Sequence, residues 1–312
     1  MTVRAVVTDP QARAALRIAE VADPEPRPGQ VLIDVRHISL NRGEVAFAAS
    51  LPPGTVSGYD ASGVVARAAA DGSGPAEGTR VVAFGPGAWA QRVAVDTDAV
   101  AEVPDTVDLA HAAALPMAGV TALRTLRTRP ILGRRVLVTG AAGGIGRFAV
   151  QLAALGGAHV VASVGSAARG EGLTGLGARE VVVGLDGIEG SFDLILDNVG
   201  GAQLVAAWPL LAPGGDLQSI GWASGEPAVF APGSLFFLGR SRTISTFGDA
   251  TAFGPDLATL LGLVAEGRLS AEIGLRDTWE HLAEAAEALL GRRVAGKAVL
   301  DVEPWRAGQS GA

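Results

Sequence analysis

The chain has 312 residues, 48% of them hydrophobic, and a mean hydropathy of +0.33. This length and composition favour two folded domains with sizeable cores and exclude a disordered chain. The formal net charge is −7 and no run of lysine or arginine occurs, which argues against nucleic acid or an anionic membrane as a partner. Because the sequence has no cysteine, it has neither disulfides nor thiolate chemistry. It shows no secretory leader and no apolar run long enough for a bilayer, and we expect a cytoplasmic protein.

The N-terminal third of the chain predicts a β-rich domain. Short β-branched segments separated by proline- and glycine-rich turns predict strands at 3–9, 30–40, 63–69 and 79–84. From Leu109 the pattern becomes helical, and Pro116 marks a break or a helix start. We therefore predict one domain formed by residues 1–117 and 249–312 and a second domain formed by 118–248.

A glycine-rich turn lies between a buried strand and a helix at residues 136–153, VLVTGAAGGIGRFAVQLA. Such a turn directs backbone N–H groups and the positive end of a helix dipole toward one point, which suits a pyrophosphate. Gly143 allows phosphates to approach the main chain, and Gly146 allows the helix to pack close to the strand. Glycine-rich turns also serve packing alone, so the pattern leaves a purely structural turn open.

The same glycines fit the TGxxxGxG turn of short-chain dehydrogenases. Those enzymes carry the turn near the N-terminus and, later in the chain, a tyrosine and a lysine four residues apart. Here the only tyrosine, Tyr59, precedes the turn, and the only lysine is Lys297. The short-chain class is therefore excluded, and a Rossmann unit behind a long N-terminal region remains.

Strand and helix alternate after the turn, which is typical of a parallel, doubly wound sheet. Predicted strands cover 158–164, 179–184, 192–200, 215–221 and 242–248; predicted helices lie near 255–267 and 278–291, and a last strand covers 297–302. The segment between Ala178 and Asp193 is short for a helical crossover. We expect one helix of this domain to be reduced to a turn. The strand at 242–248 is either an exposed edge that pairs with a second copy in a homodimer or an edge covered within a monomer.

Seven ordered motifs, the glycine turn among them, resemble the zinc-independent quinone oxidoreductases of the medium-chain dehydrogenase/reductase superfamily. The other six are SLNRGE (39–44), GYDASGVV (58–65), GTRVVAFGPGAWAQRVAV (78–95), AALPMAGVTALRTL (113–126), DNVGG (197–201) and GKAVLDV (296–302). The resemblance implies an α/β protein, with a GroES-like β-rich catalytic domain completed by the C-terminal tail and a Rossmann cofactor domain with a doubly wound parallel sheet.

The zinc-dependent branch of that superfamily needs ligands that this chain lacks. It has no cysteine, and Tyr59 stands where a ligand histidine would be. The four histidines, His37, His111, His159 and His281, lack ligand spacing, and we predict no metal site. Without a Lewis acid, reduction of a polarised double bond or quinone is favoured over alcohol oxidation.

The end of the second Rossmann strand indicates the cofactor. An acidic residue there would bind the ribose hydroxyls of NAD, whereas small and basic residues admit the phosphate of NADP. Here the strand leads into Gly165 and Ser166, and no carboxylate occurs before Glu171. Ser166 and Arg169 are able to donate hydrogen bonds to a 2′-phosphate. We therefore predict NADPH.

The resemblance also implies individual site residues. Asn41 would lie near the nicotinamide and the substrate carbonyl, and we expect Asp60 to anchor the domain by hydrogen bonding. The segment at 41–43 departs from the family because it lacks the tyrosine that some relatives carry nearby as a proton donor, which leaves Tyr59 or water as the proton source. The predicted cofactor-binding residues are Thr121, Ala142, Gly143, Gly144, Ile145, Ser163, Gly165, Ser166, Arg169, Asn198, Val199, Gly200, Ile220, Gly221, Phe236 and Phe237. Trp89, Trp222, Phe236 and Phe237 either line an apolar cleft or belong to the core.

We predict an NADPH-dependent reductase of a quinone or an α,β-unsaturated carbonyl, acting on a small apolar molecule. One alternative is an enoyl-reductase-like tailoring enzyme of polyketide or other natural-product biosynthesis. A second alternative, from a different class, is a non-catalytic NADPH-binding sensor or structural protein.

Overall fold

The computed structural model describes residues 1–236 and 239–305. It divides into two compact units, one formed by residues 1–120 and 250–312 and the other by 121–249. None of the helices in the described ranges is both long and apolar enough to cross a bilayer.

The first part of the first unit is built mainly of strands. Its elements are β1 (Thr2–Thr8), β2 (Leu16–Ala22), β3 (Gln30–Leu40), α1 (Arg42–Phe47), β4 (Asp60–Arg67), β5 (Arg80–Phe84), β6 (Arg92–Asp96), β7 (Val100–Glu102) and α2 (Leu109–Ala113). A π-helical turn at Pro116–Val120 follows α2, so Pro116 begins a helical segment. Three of these strands, β2, β6 and β7, are not predicted by the hydrophobic pattern.

The second unit is a parallel α/β sheet. Its elements are α3 (Thr121–Arg127), β8 (Arg135–Thr139), α4 (Gly144–Leu155), β9 (His159–Val164), β10 (Glu180–Val183), β11 (Phe192–Asp197), α5 (Gly201–Ala207), β12 (Leu211–Ser219) and β13 (Thr243–Thr246). The strand order β10-β9-β8-β11-β12-β13 is the doubly wound order, with a switch point between β8 and β11. All pairings within this sheet are parallel.

The crossover from β10 to β11 contains no helix, as the short segment predicts. Leu185 and Ile188 of this connection instead pack against the buried side of the sheet, where Phe192 and Ile195 lie. The edge strand β13 is mostly exposed. Whether it pairs with a second copy stays a prediction.

The C-terminal segment completes the first unit. It contributes α6 (Gly254–Ala265), β14 (Ile273–Thr278), α7 (Leu282–Leu290) and β15 (Lys297–Asp301). The unit's large sheet has the order β14-β15-β3-β4-β5-β7, and β6 also pairs with β3. Strand β15 is antiparallel to β3, so that Ala298 lies opposite Leu40. This register brings the start of β15 next to the segment that follows β3.

Candidate active site

The glycine-rich turn joins β8 to α4 in the second unit, as predicted. Gly140 has a φ of +59°, and Gly143 N–H donates to the Gly140 carbonyl oxygen at 3.0 Å. A Cβ on Gly146 would lie 2.5 Å from that same oxygen and 2.6 Å from Ala141 Cα. Backbone therefore passes so close to the start of α4 that only glycine fits at 146. The turn leaves the N-terminus of a twelve-residue helix at the carboxyl edge of the sheet.

A buried carboxylate fixes the neighbouring strand end. Asp197, the last residue of β11, is fully buried; it accepts from Thr139 Oγ1 at 2.5 Å and from Gly200 N at 2.8 Å. Burial raises the pKa of Asp197, and these two hydrogen bonds oppose the shift. Because Thr139 ends β8, this contact ties together the two strands of the switch point. Sequence reasoning included Asp197 in a motif but gave it no role.

The residues after β11 and β12 come together at the same edge. Ile220 and Gly221 both donate their N–H to the Asp197 carbonyl oxygen, at 2.8 and 3.1 Å. A Cβ on Gly221 would be 2.8 Å from the Asn198 carbonyl oxygen. Asn198 Nδ2 donates to the Thr139 carbonyl at 2.9 Å, whereas its buried Oδ1 has no hydrogen-bond partner within 1–236 and 239–305. A buried acceptor without a partner at this edge is able to accept a hydrogen bond from a bound molecule.

The end of β9 presents small residues and one arginine. Gly165 and Ser166 are exposed, and Arg169 is half-buried in a short 3-10 turn. The hydroxyl of Ser163 is buried instead; it donates to the Gly184 carbonyl and accepts from Gln203 Nε2. Its side chain therefore holds β9 against its neighbours.

The remaining predicted cofactor residues fall into two groups. Buried or half-buried residues lie close to the turn or begin α3, namely Thr121, Ala142, Gly144, Ile145 and Val199. Phe236, in contrast, is 87% exposed, and Phe237 lies outside the described residues. Trp222 is half-exposed, and its indole lies over Gly200, where a Cβ would come within 2.7 Å of the ring.

The first unit contains a buried polar cluster around Asn41. Asn41 Nδ2 donates to Asp60 Oδ2 at 2.8 Å, and Lys297 Nζ donates to Asn41 Oδ1 at 2.5 Å. Asn41 also forms a capping box with Glu44, whose Oε2 accepts the Asn41 backbone N–H at 2.8 Å. Met117 N–H donates to the other Asp60 oxygen at 3.1 Å. Asp60 thus has the hydrogen bonds that the predicted anchoring role requires, and the role itself stays a prediction.

The cluster contains two carboxyl groups and one ammonium group. Burial raises the pKa of both carboxyls, that of Glu44 to about 8. Three donors, from Asn41, Met117 and Lys297, surround Asp60, while Glu44 Oε1 is shielded from solvent and has no partner among the described residues. The negative charge is therefore favoured on Asp60 and the proton on Glu44.

This arrangement predicts a pH-dependent stability. Between the ordinary pKa of 4.5 and about 8, folded Glu44 retains a proton that the unfolded chain releases, so the free energy of unfolding falls as pH rises through this range. We expect Glu44→Gln to remove much of the fall and to be more stable than the native protein near pH 8, by on the order of a few kcal/mol. Urea unfolding across the range measures this. The exposed Glu77→Gln is the control, and an unchanged slope in Glu44→Gln would contradict the assignment.

The aromatic residues near the cluster have separate roles. Tyr59 is 39% exposed and stacks on Phe84 at 5.3 Å, and Phe84 stacks on buried Phe253 at 3.8 Å. Trp89 is fully buried in the core, and its Nε1 donates to the Ser39 carbonyl oxygen. The core alternative is therefore confirmed for Trp89, while Tyr59 presents part of its ring to solvent.

The described part of this unit does not group metal-ligating side chains. Among the described residues no set of three or more His, Cys, Asp or Glu has a geometry that could hold a metal. His37 and His281 each contact one aspartate through Nδ1, Asp301 and Asp277 respectively. Zinc does not fit the donor set at the position of Tyr59, because the whole sequence has no cysteine and a tyrosine is not among the usual zinc ligands.

Two family models match the chain. Residues 27–105 match the alcohol dehydrogenase GroES-like domain, and residues 176–300 match a family described as zinc-binding dehydrogenase. The quinone oxidoreductase of Coxiella burnetii has a similar structure, with a TM-score of 0.85 and 26% identity over 97% of this chain and 100% of that one. A mycobacterial protein complexed with NADPH also has a TM-score of 0.85, with 25% identity over 96% of this chain and 100% of that one.

The curated relatives are much longer proteins, and this chain matches one segment of each. A phenolphthiocerol/phthiocerol polyketide synthase of Mycobacterium tuberculosis is 34% identical over 183 residues, which is 56% of this chain and 8% of the synthase. Erythronolide synthase EryA2 of Saccharopolyspora erythraea is 39% identical over 147 residues, 46% of this chain and 4% of that protein. The chain thus spans less than a tenth of the length of these relatives.

A GroES-like unit together with a doubly wound dinucleotide sheet defines a two-domain oxidoreductase, and the predicted fold class is confirmed. The chain has the fold of the medium-chain dehydrogenase/reductase superfamily, and a quinone oxidoreductase is among its structural neighbours.

Proposed function

We propose that the protein is an NADPH-dependent reductase that transfers hydride to a quinone or an α,β-unsaturated carbonyl. The observation that carries this proposal is the carboxyl edge of the six-stranded sheet, where the glycine turn, the Asp197 contacts and the Asn198 orphan acceptor converge. The likeness to a quinone oxidoreductase and to a protein complexed with NADPH supports it.

The residues at this edge fit a phosphorylated dinucleotide. The N-terminus of α4, which follows Gly143, suits a pyrophosphate. Gly165 has no atom within 4 Å of its Cβ position, which leaves room beside Ser166 and Arg169 for a 2′-phosphate. The hydroxyl and guanidinium of the latter two would bind that phosphate. NADPH, when bound, supplies the hydride.

The protein's chemical contribution centres on Asn41. Its Nδ2 carries two hydrogens, and only one of them is donated, to Asp60, among the described residues. The second N–H would donate to the acceptor's carbonyl oxygen and stabilise the negative charge that develops there as hydride arrives. The proton reaches the product from Tyr59 or from solvent, and Tyr59→Phe separates these sources because it keeps the ring but removes the hydroxyl.

Turnover tests the proposal directly. Purified protein should consume NADPH with at least one member of a panel of benzoquinones, naphthoquinones and enones. We expect Asn41→Ala to lower kcat about 10- to 100-fold, the range for one hydrogen bond to a charged group, with the Kd for NADPH unchanged. NADPH binding without turnover of any acceptor would instead support a non-catalytic binding protein.

A second candidate is an enoyl-reductase-like enzyme of natural-product biosynthesis. The curated relatives favour it, because several of them are polyketide synthases. Both candidates share the hydride donor and differ in the acceptor. Comparing kcat/KM for short enoyl thioesters with that for quinones distinguishes them.

A further inference from the structure

Lys297 is the only lysine of the chain, and it is 2% exposed. A buried ammonium is costly unless every N–H has an acceptor. Here Nζ has three acceptors: Asn41 Oδ1 at 2.5 Å, the Leu40 carbonyl oxygen at 3.3 Å and Asp60 Oδ2 at 3.3 Å. The register of β15 against β3 brings Lys297 to this position. The ammonium is therefore held in a buried hydrogen-bonding cluster that includes the Asn41 side chain.

Two neighbours fix the orientation of the Asn41 amide. Lys297 Nζ has only hydrogens to donate, so the Asn41 atom facing it must be Oδ1. Ionised Asp60 only accepts, so the atom facing it must be Nδ2. A flipped amide would place an N–H against the ammonium and an oxygen against the carboxylate. Both of these repulsive contacts would lie in a buried cluster, where unpaired polar groups are most costly.

The ammonium also changes the amide electronically. A cation on Oδ1 draws electron density from the amide nitrogen, and linked hydrogen bonds of this kind strengthen one another. Asn41 is half-buried, and its second Nδ2–H has no acceptor within the described ranges. This N–H is thus both oriented and strengthened as a donor.

We infer that Lys297 is a positioning residue, which acts with Asp60 to orient the Asn41 amide and to strengthen its remaining N–H as a hydrogen-bond donor toward the reacting carbonyl oxygen. This inference rests on the proposed reductase function. In this role Lys297 acts through Asn41 and does not itself contact the substrate or the cofactor.

The composition of the chain allows a direct spectroscopic test. The sequence has two asparagines, Asn41 and Asn198, so ¹⁵N-asparagine labelling gives two side-chain NH₂ pairs. We expect Lys297→Met to shift the Asn41 pair and to bring its two proton shifts and exchange rates closer to those of a free amide. The Asn198 pair lies in the other unit and serves as the internal control. An Asn41 pair that does not move in Lys297→Met would overturn the inference.

A double-mutant cycle tests the link to turnover. Lys297→Met should lower kcat about 10- to 100-fold while the Kd for NADPH changes less than about twofold, as expected for loss of a charge-assisted interaction. In an Asn41→Ala background the same change should cost less than about threefold, because its target is gone. Equal losses in both backgrounds would overturn the inference. No loss of kcat in Asn41→Ala itself would instead reject the proposed role of Asn41.

Removing one member of a buried ion pair destabilises a fold, so a balanced variant is needed. Asp60→Asn/Lys297→Met removes both charges, and we expect it to fold better than Lys297→Met yet to remain slow. Recovery of native kcat in this variant would overturn the inference. Arg92→Met is the matched control, because it breaks the Arg92 ion pairs with Asp23 and Asp34 in the same unit and should leave kcat unchanged.

Discussion

Gly146→Ala is expected to abolish tight NADPH binding and to destabilise the protein by about 1–3 kcal/mol. The added Cβ would lie 2.5 Å from the Gly140 carbonyl oxygen and 2.6 Å from Ala141 Cα. Both are backbone atoms of the same turn, so no side chain is able to move aside. Either α4 retreats from β8 or the turn changes shape, and in both cases the N–H groups that would face the pyrophosphate lose their alignment.

Titration of the variant with NADPH, followed by its fluorescence, measures the affinity, and urea unfolding measures the stability. We expect the Kd to rise at least about 100-fold, as several charge-assisted hydrogen bonds weaken together. Gly262→Ala is the matched control. It lies within helix α6, has no atom within 4 Å of the Cβ position, and should leave binding unchanged. Normal NADPH affinity in Gly146→Ala would place the cofactor away from this turn.

Local sequence patterns predicted the elements at the carboxyl edge of the six-stranded sheet. The β-branched segment at 136–139, the glycines after it and the helical spacing of Phe148 and Leu152 are each visible within a few residues. The structure shows β8, the turn and α4 there, with both side chains buried. Strands β2 and β14 were missed because they are largely polar or exposed and are defined by their pairing with β1 and β15.

The polar cluster could not be predicted from local sequence. Asn41 and Lys297 are 256 positions apart, and their contact depends on the register of β15 against β3. Glu44 is recognisable as a capping-box residue, but its raised pKa follows from burial beside Asp60. One signal was available: a single lysine in a chain rich in arginine indicates a position where a compact point charge is needed.

Arg169→Ala is expected to weaken NADPH binding about 10- to 100-fold and to change NADH binding less than about twofold. A guanidinium bound to a 2′-phosphate forms charge-assisted hydrogen bonds that NADH cannot form. Arg169 follows β9, at the carboxyl edge of the sheet, and no carboxylate precedes it there to bind ribose hydroxyls. Calorimetric titration with each nucleotide gives both dissociation constants.

A specific contact of Arg169 with the 2′-phosphate must be distinguished from the general attraction between basic residues and nucleotides. Arg179→Ala is the matched control, because it removes an exposed arginine next to the amino end of β10, at the opposite edge of the same sheet. A general electrostatic effect would weaken the binding of both nucleotides in both variants, and the difference from the native protein would disappear at high salt. Loss of a specific contact with the 2′-phosphate would instead raise the Kd for NADPH only, and only in Arg169→Ala.

The converse change, Gly165→Asp, introduces a carboxylate where the Cβ position is open. This carboxylate should repel the 2′-phosphate of NADPH and accept hydrogen bonds from the ribose hydroxyls of NADH. If Arg169→Ala and Gly165→Asp both leave the preference between the nucleotides unchanged, the end of β9 does not select the cofactor.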